Sequence, residues 1–452
     1  MNNKNWLAIR LLTTFVVATF TMSSVFASDG LSVITNIQPK HDKAAKQQNS
    51  LFLKVDAAVA KALAGNPGLQ AVRSRALALS KIPVQKGTLP DPGVFISFMN
   101  LPVDSFAIGQ EPMTQLQIGI SQNLPYPGKL ALQELVSQYE VDMAEYDVSE
   151  MQIHLVADVK AVWWNLFYLD RALEIVGSNQ ELLRQFVDIA QTKYKVGKGL
   201  QQDVLLAQVE LSKFLDQEIQ LRSMRRSVEA RLNALLDYPV SNAIQIPRKV
   251  EASLPNVLDE TRLIEMAYEN RPLLIKQAKL LAAAHARVDL AKKNYYPDFK
   301  LGAAYGFRDG ENPDGSERTD FASIMFSMNL PLYAGSRQDN KLDQRKSEVI
   351  KQQYREQDIG GQVETAIARA LSSYTSTREQ VALFEHGIIP QASQTVASMR
   401  AGYQVNKVDF LNLVRSQISL FNFETQYWKS LSEAMQSLAR LEAAVGKETI
   451  YE

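Results

Sequence analysis

The 452-residue chain contains no cysteine. That excludes a disulfide framework, a thiolate metal site, a cysteine nucleophile and a lipid-anchored N-terminal cysteine. Histidine is scarce: His41, His154, His285 and His386 are scattered and hold no ligand spacing. Neither sign of charge is in excess, with 49 Lys plus Arg against 49 Asp plus Glu. The balance is near −2 once Lys4 and Arg10 are removed with a leader, so nothing in it points to nucleic acid. Beyond the N-terminus there is no run of about 18 apolar residues, which excludes a transmembrane helix there; a membrane could be entered only as strands. Nucleophile elbows, phosphate loops and paired metal-binding histidines are also missing, so no catalytic chemistry is legible.

Proline is absent from Lys129 to Val196, and Gly177 is the single glycine inside that stretch. Apolar residues recur there at three- and four-residue steps (Leu132, Leu135, Tyr139, Met143, Tyr146, then Ile153, Val156, Val159, Trp163, Leu166), the spacing of an amphipathic helix. At ~1.5 Å per residue such a helix would run about 100 Å and needs an equally long partner. Gln201–Tyr238, also proline-free, supplies one after the turn Gly197-Lys198-Gly199.

The remaining chain falls into order around this hairpin. Residues 1–27 read as a signal peptide: Lys4 and Arg10, the apolar run Leu11–Met22, then Val25-Phe26-Ala27 before Ser28. Residues 28–50 are polar and aperiodic and read as a flexible lead-in. A helix is expected from Val55 to Gly65 and another from Leu69 towards Lys86, kinked or ended at Pro83. The period then changes to two. Val94, Ile96 and Phe98 alternate with Phe95, Ser97 and Met99, while Leu116, Ile118 and Ile120 alternate with Gln115, Gln117, Gly119 and Ser121. An apolar and a polar face on such strands suit a tilted membrane barrel; a soluble hairpin lying on the helices is the alternative.

The pattern recurs at an offset near 206. Asn66-Pro67-Gly68-Leu69 matches Asn270-Arg271-Pro272-Leu273, Pro90-Asp91 matches Pro297-Asp298, and Asn123-Leu124-Pro125 matches Asn329-Leu330-Pro331. The first repeat is 51–238, with strands about 92–99 and 114–121 and a helical hairpin 129–238. A connector (239–257) leads to the second, 258–446, with strands about 297–307 and 320–328 and a hairpin 337–446, then a tail 447–452. Its long helix contains Gly360-Gly361, Gly387 and Pro390, so a kink, or even the chain reversal, is expected near Gly387–Pro390, at the height of Gly177 in the first half. Four strands cannot close a barrel, and an open edge in lipid leaves backbone groups unpaired. Three copies would supply twelve strands; two would close only a narrow barrel.

These features resemble the TolC family of outer-membrane efflux proteins over about residues 51–446. The matching motifs are Asn66-Pro67, Leu89-Pro90-Asp91-Pro92, Gln122-Asn123-Leu124-Pro125 with Gly128-Lys129, Tyr194-Lys195-Val196-Gly197 before Asp203-Val204-Leu205, and Tyr403-Gln404-Val405 before Asp409-Phe410-Leu411. The resemblance implies an α+β membrane protein. Its duplicated helix–β-hairpin–long-helix unit forms, as a homotrimer, a 12-stranded β-barrel in outer-membrane lipid, continued by a long α-helical periplasmic tunnel. It further implies docking to a periplasmic adaptor (a membrane fusion protein) and an inner-membrane RND-type transporter, with no cofactor. Pro112–Gln115 and Pro127–Leu130 resemble the heavy-metal branch; a multidrug or type I secretion exit duct and a periplasmic coiled-coil adaptor are the alternatives. On this reading Leu116, Ile118 and Ile120 face lipid. The periplasmic tip comprises Tyr194, Gly197, Gly199, Asn406 and Lys407, and Asp203, Tyr403 and Asp409 are gate candidates.

Overall fold

The computed structural model describes residues 52–405 and 407–451; the expected signal peptide and lead-in, and Asn406 of the tip, lie outside the described residues. The chain enters through α1 (Val55–Gly65), α2 (Pro67–Leu79) and the single-turn α3 (Ile82–Gly87). The expected helix up to Lys86 is therefore two. Ser80-Lys81 break it, and Pro83 sits in the first turn of α3, where a missing N–H costs nothing.

Strands β1 (Gly93–Met99) and β2 (Gln115–Leu124) follow, then α4 (Lys129–Lys195) and α5 (Gln201–Leu235). The second half repeats this as α6 (Glu260–Asn270), α7 (Pro272–Lys293), β3 (Phe299–Phe307), β4 (Phe321–Met328), α8 (Ala334–Leu383), α9 (Ile389–Gln404) and α10 (Phe410–Val445). Between α8 and α9 the five residues Phe384–Ile388 form a π-helical turn, in which the Ile389 N–H donates to the Phe384 carbonyl. Pro390 explains it: the ring removes one donor and crowds the carbonyl four residues back, and a wider turn relieves both. The helix nevertheless continues to Gln404, and α4 runs unbroken past Gly177. The chain reverses at 196–200 and 405–409, not at Gly177 or Pro390.

Away from the sheet, α4 lies between α5 and α10, and α8 with α9 flanks the other side of α10. Nearer the sheet, α7 takes the place of α10 between α4 and α8. Helices α10 and α7 meet end to end at Gly446, whose φ of +82° turns the chain and whose missing side chain leaves room for the Arg271 backbone. Helices α5 and α2 meet in the same manner through Asn66, which accepts from the Leu69 N–H at 3.0 Å and donates to the Leu235 carbonyl at 3.1 Å. The position before the helix-opening proline is thus Asn66 in one half and Arg271 in the other, one residue off the sequence match with Asn270.

Three apolar clusters hold the layer. One gathers α1, α4 and the connector around Trp163, which is wholly buried and donates its indole N–H to the Leu53 carbonyl at 2.9 Å. A second, towards the reversals, joins α4, α5 and α10. The third packs α6 against α8 and α10, and Ile450 of the tail enters it beside a bridge between Val257 and Tyr451. Among the described residues no helix is long and apolar enough to cross a membrane.

Candidate functional site

The four strands form one antiparallel sheet in the order β1-β2-β3-β4. Leu116 pairs with Phe98 and Phe307, Ile118 with Ile96 and Tyr305, and Ile120 with Val94 and Ala303. Across β3 and β4, Leu301 pairs with Phe326 and Ala303 with Ile324. Because paired residues share a side of a sheet, one face is apolar from edge to edge; Ile324 is 91% and Val94 70% exposed on it. The other face carries Ser97, Gln115, Gln117, Ser121, Lys300 and Ser323, together with Phe95 and Met99. Phe95 belongs there because Gly119, opposite it, has no side chain and the ring lies across that gap.

Among the described residues, both outer strands leave an unpaired edge. The two outer loops are stitched to each other by arginines: the Arg318 guanidinium donates to the carbonyls of Gly109 (3.1 Å), Glu111 (2.9 Å) and Asp309 (3.1 Å). At the other end the sheet is fastened to α4. Asp298 accepts from the Lys129 ammonium at 2.8 Å and from the Tyr126 N–H at 2.7 Å, and its own N–H donates to Asn329. Tyr126 stacks on Tyr296 with ring centroids 4.4 Å apart. The repeated Pro-Asp and Asn-Leu-Pro signals announced a strand boundary; this clamp is what they build.

At the far end, Val196 closes α4 and Gly197 takes φ +71°. The Lys198 N–H donates to the Lys193 carbonyl (2.8 Å) and the Gly197 N–H to the Tyr194 carbonyl (3.0 Å). This is the glycine-ended helix stop, in which the left-handed residue satisfies the last carbonyls. Gly199 is required differently: a side chain there would collide with Lys193. The second reversal repeats the long bond, Lys407 N–H to the Gly402 carbonyl at 2.8 Å. Both links are five residues long (196–200 and 405–409), so the motifs Asp203-Val204-Leu205 and Asp409-Phe410-Leu411 do not superpose. Asp203 is the third residue of α5, while Asp409 is the residue that precedes α10.

The structure brings two of the three gate candidates together. Tyr403 is half-buried, with the Lys193 ammonium 3.9 Å from its ring centroid and Phe410 at 5.4 Å. Its pKa is raised by burial and then by the negative charge of Asp203. Within the chain, however, the Tyr403 hydroxyl makes no hydrogen bond to Asp203 among the described residues. Asp203 lies in the first turn of α5, where the helix dipole favours a carboxylate. Asp409 is exposed and its side chain makes no capping bond. Tyr194 is 49% exposed and Lys407 exposed. Lys193 was not singled out from the sequence, although a lysine in the last turn of a helix, here four residues before the turn glycine, is a readable signal for a side chain folding over the reversal.

An apolar-faced sheet with open edges, set on a helical hairpin layer, matches one known family. The outer membrane efflux protein family profile covers residues 97–237 and 263–447. The chain belongs to that family. It is an outer-membrane protein whose fold joins barrel strands to a helical tunnel reaching into the periplasm. Its shape is similar to that of the outer membrane protein VceC from Vibrio cholerae, with 18% identity, 87% of this chain and 96% of that one covered, and a TM-score of 0.73. It is likewise similar to the Neisseria gonorrhoeae MtrE outer membrane channel in its open state (13%, 87% and 89%, 0.71). CusC, described for folding and transmembrane channel formation, aligns at 15% identity over 88% and 93% with a TM-score of 0.71. Among curated proteins, none matches the chain.

Proposed function

We propose that three copies of this chain close a twelve-stranded barrel and a continuous helical tunnel, a passive conduit through which a tripartite pump expels cargo across the outer membrane. The observation that carries this reading is the sheet: one face apolar from edge to edge, the other with a polar band, and both edges open. In lipid such edges must pair, and only other copies of the sheet can pair them without a new element. Leu116, Ile118 and Ile120 then face lipid, and Gln115 and Gln117 the lumen. The end at 196–200 and 405–409 meets the periplasmic adaptor, itself bound to an inner-membrane RND-type transporter.

Closure at rest belongs to that end. Lys193 and Phe410 hold the Tyr403 ring, whose hydroxyl feels the charge of Asp203, and the exposed Asp409 would join a carboxylate ring that favours cations. A heavy-metal cargo rests on the two short motifs at Pro112–Gln115 and Pro127–Leu130; a passive conduit takes its cargo from its pump. The test is conductance in planar bilayers. Asp203→Ala with Tyr403→Phe is expected to raise conductance, and Asp409→Ala to lower cation preference. Unchanged conductance and selectivity in correctly assembled variants would place the gate elsewhere, nearest to Phe384–Ile388.

A further inference from the structure

Midway along the helical layer, α4, α8 and α10 line a solvent-open cavity of about 510 Å³. Each of these helices contributes alanines to its wall, and their short side chains leave the gap unfilled. The cavity abuts the apolar clusters, sharing Val162 with the first and Ala444 with the third, and its mouth carries the exposed Arg231, Arg369 and Arg440.

The charges in the cavity are unusual for a chain with equal numbers of each sign. Arg231, Arg271, Arg369 and Arg440 line it, with Asp158 the one carboxylate among the lining residues. Arg231, Arg369 and Arg440 are exposed at the rim and form no ion pair among the described residues. Arg271 differs. It is only 6% exposed, and its Nη2 donates to Glu150 Oε1 at 2.6 Å, while its Nε and Nη1 are buried without a partner. His154, also on the wall, bonds the same Glu150 oxygen at 2.9 Å. With Glu150 and Asp158 counted against the four guanidiniums, the cavity keeps an excess of two positive charges. The Arg271 nitrogens without a partner are shielded from solvent, so this residue acts through its charge, whereas the exposed guanidiniums of Arg231, Arg369 and Arg440 are free to fork carboxylate or phosphate oxygens.

We infer that this cavity is an anion site, which takes a small multivalent oxyanion, a phosphate or a polycarboxylate, on Arg369 and Arg440 at its mouth, with the buried charge of Arg271 beneath. A conduit with one such site per chain would carry a cationic belt halfway along its length, opposite in sign to the aspartates at its tip.

The experiment is calorimetric titration of the detergent-solubilised, full-length assembled protein with pyrophosphate and, separately, citrate at fixed near-physiological ionic strength. Saturable binding of one anion per chain is expected, weakened at least tenfold in R369Q/R440Q, whose exposed positions leave the fold intact. Pyrophosphate binding alone assigns the site to phosphates, and citrate binding alone to carboxylates. Failure of the wild type to bind either anion saturably, or equal binding by R369Q/R440Q, would overturn the proposal. The readout does not require conductance: a protein that conducts but binds no anion loses the site and keeps the tunnel, and one that binds without conducting does the reverse.

Discussion

Two residues show how local chemistry holds this molecule together. Trp163 fills the centre of the first cluster beside Trp164 and Phe167, with ring centroids 5.1 and 5.8 Å away, and it fastens the start of the described chain to α4 through the Leu53 carbonyl. Truncation to alanine leaves a large void and an unpaired carbonyl. Trp163→Ala is therefore expected to cost about 3–5 kcal/mol, read by chemical unfolding in detergent. Glu150 is the second. Burial works against its charge, but the hydrogen bond from His154 and the positive charge of Arg271 outweigh it and hold its pKa below the ordinary 4.5. A carboxylate with a lowered folded-state pKa stabilises most above its unfolded value and loses that contribution as pH falls through and below it. Thermal stability should thus decline from about pH 4.5 downwards, and Glu150→Gln should be less stable at neutral pH with a flatter acid limb. Trp163 was legible as part of the apolar stripe, but the ion pair was not: Arg271 reads as one cation beside a proline, and nothing in the sequence places Glu150 against it, 121 residues away.

At the scale of elements, periodicity was the readable signal and its interruptions were the unreadable part. The two-residue alternation of β2 located a strand and both its faces, yet the pairing of Phe95 with the polar side required knowing that Gly119 lies opposite. The 68-residue proline-free stretch announced α4, which runs 67 residues. Pro390 promised a break in the second half; a single π-turn absorbs it because α10 packs along the same helix and holds its course. The candidate site was partly legible: the first tip turn carried its glycine signal, and Tyr194 to Leu205 spans eleven residues against eight from Tyr403 to Leu411, but only the structure shows that the difference moves Asp409 from inside the helix to the residue before it. The register of β2 carries its own prediction. Arginine at Ile118, on the apolar face, should cost roughly 2–4 kcal/mol and impair outer-membrane insertion, whereas Gln117→Arg should insert normally. The reverse result, read from the yield of heat-resistant assembled protein, would mean that the faces are exchanged.

For the whole molecule, the duplication supplies a prediction about the seam between chains. Asp298 clamps the start of α4 through Lys129. Asp91 holds the corresponding place in the first repeat, is exposed, and forms no ion pair among the described residues. In a ring of three, β4 of one chain meets β1 of the next, which brings Asp91 to the first turn of the neighbour's α8, where Arg337 stands exposed. Asp91→Arg should lower the temperature at which the assembly dissociates on semi-native gels, and adding Arg337→Asp should restore it. All of this depends on closure: a four-stranded sheet with two open edges is stable in lipid only if other copies complete it. The most direct test is the protein mass of the complex extracted from outer membranes, measured by light scattering with the detergent contribution subtracted. A mass three times that of one mature chain is the predicted result; a monomer that keeps its native secondary structure in the same detergent would contradict it.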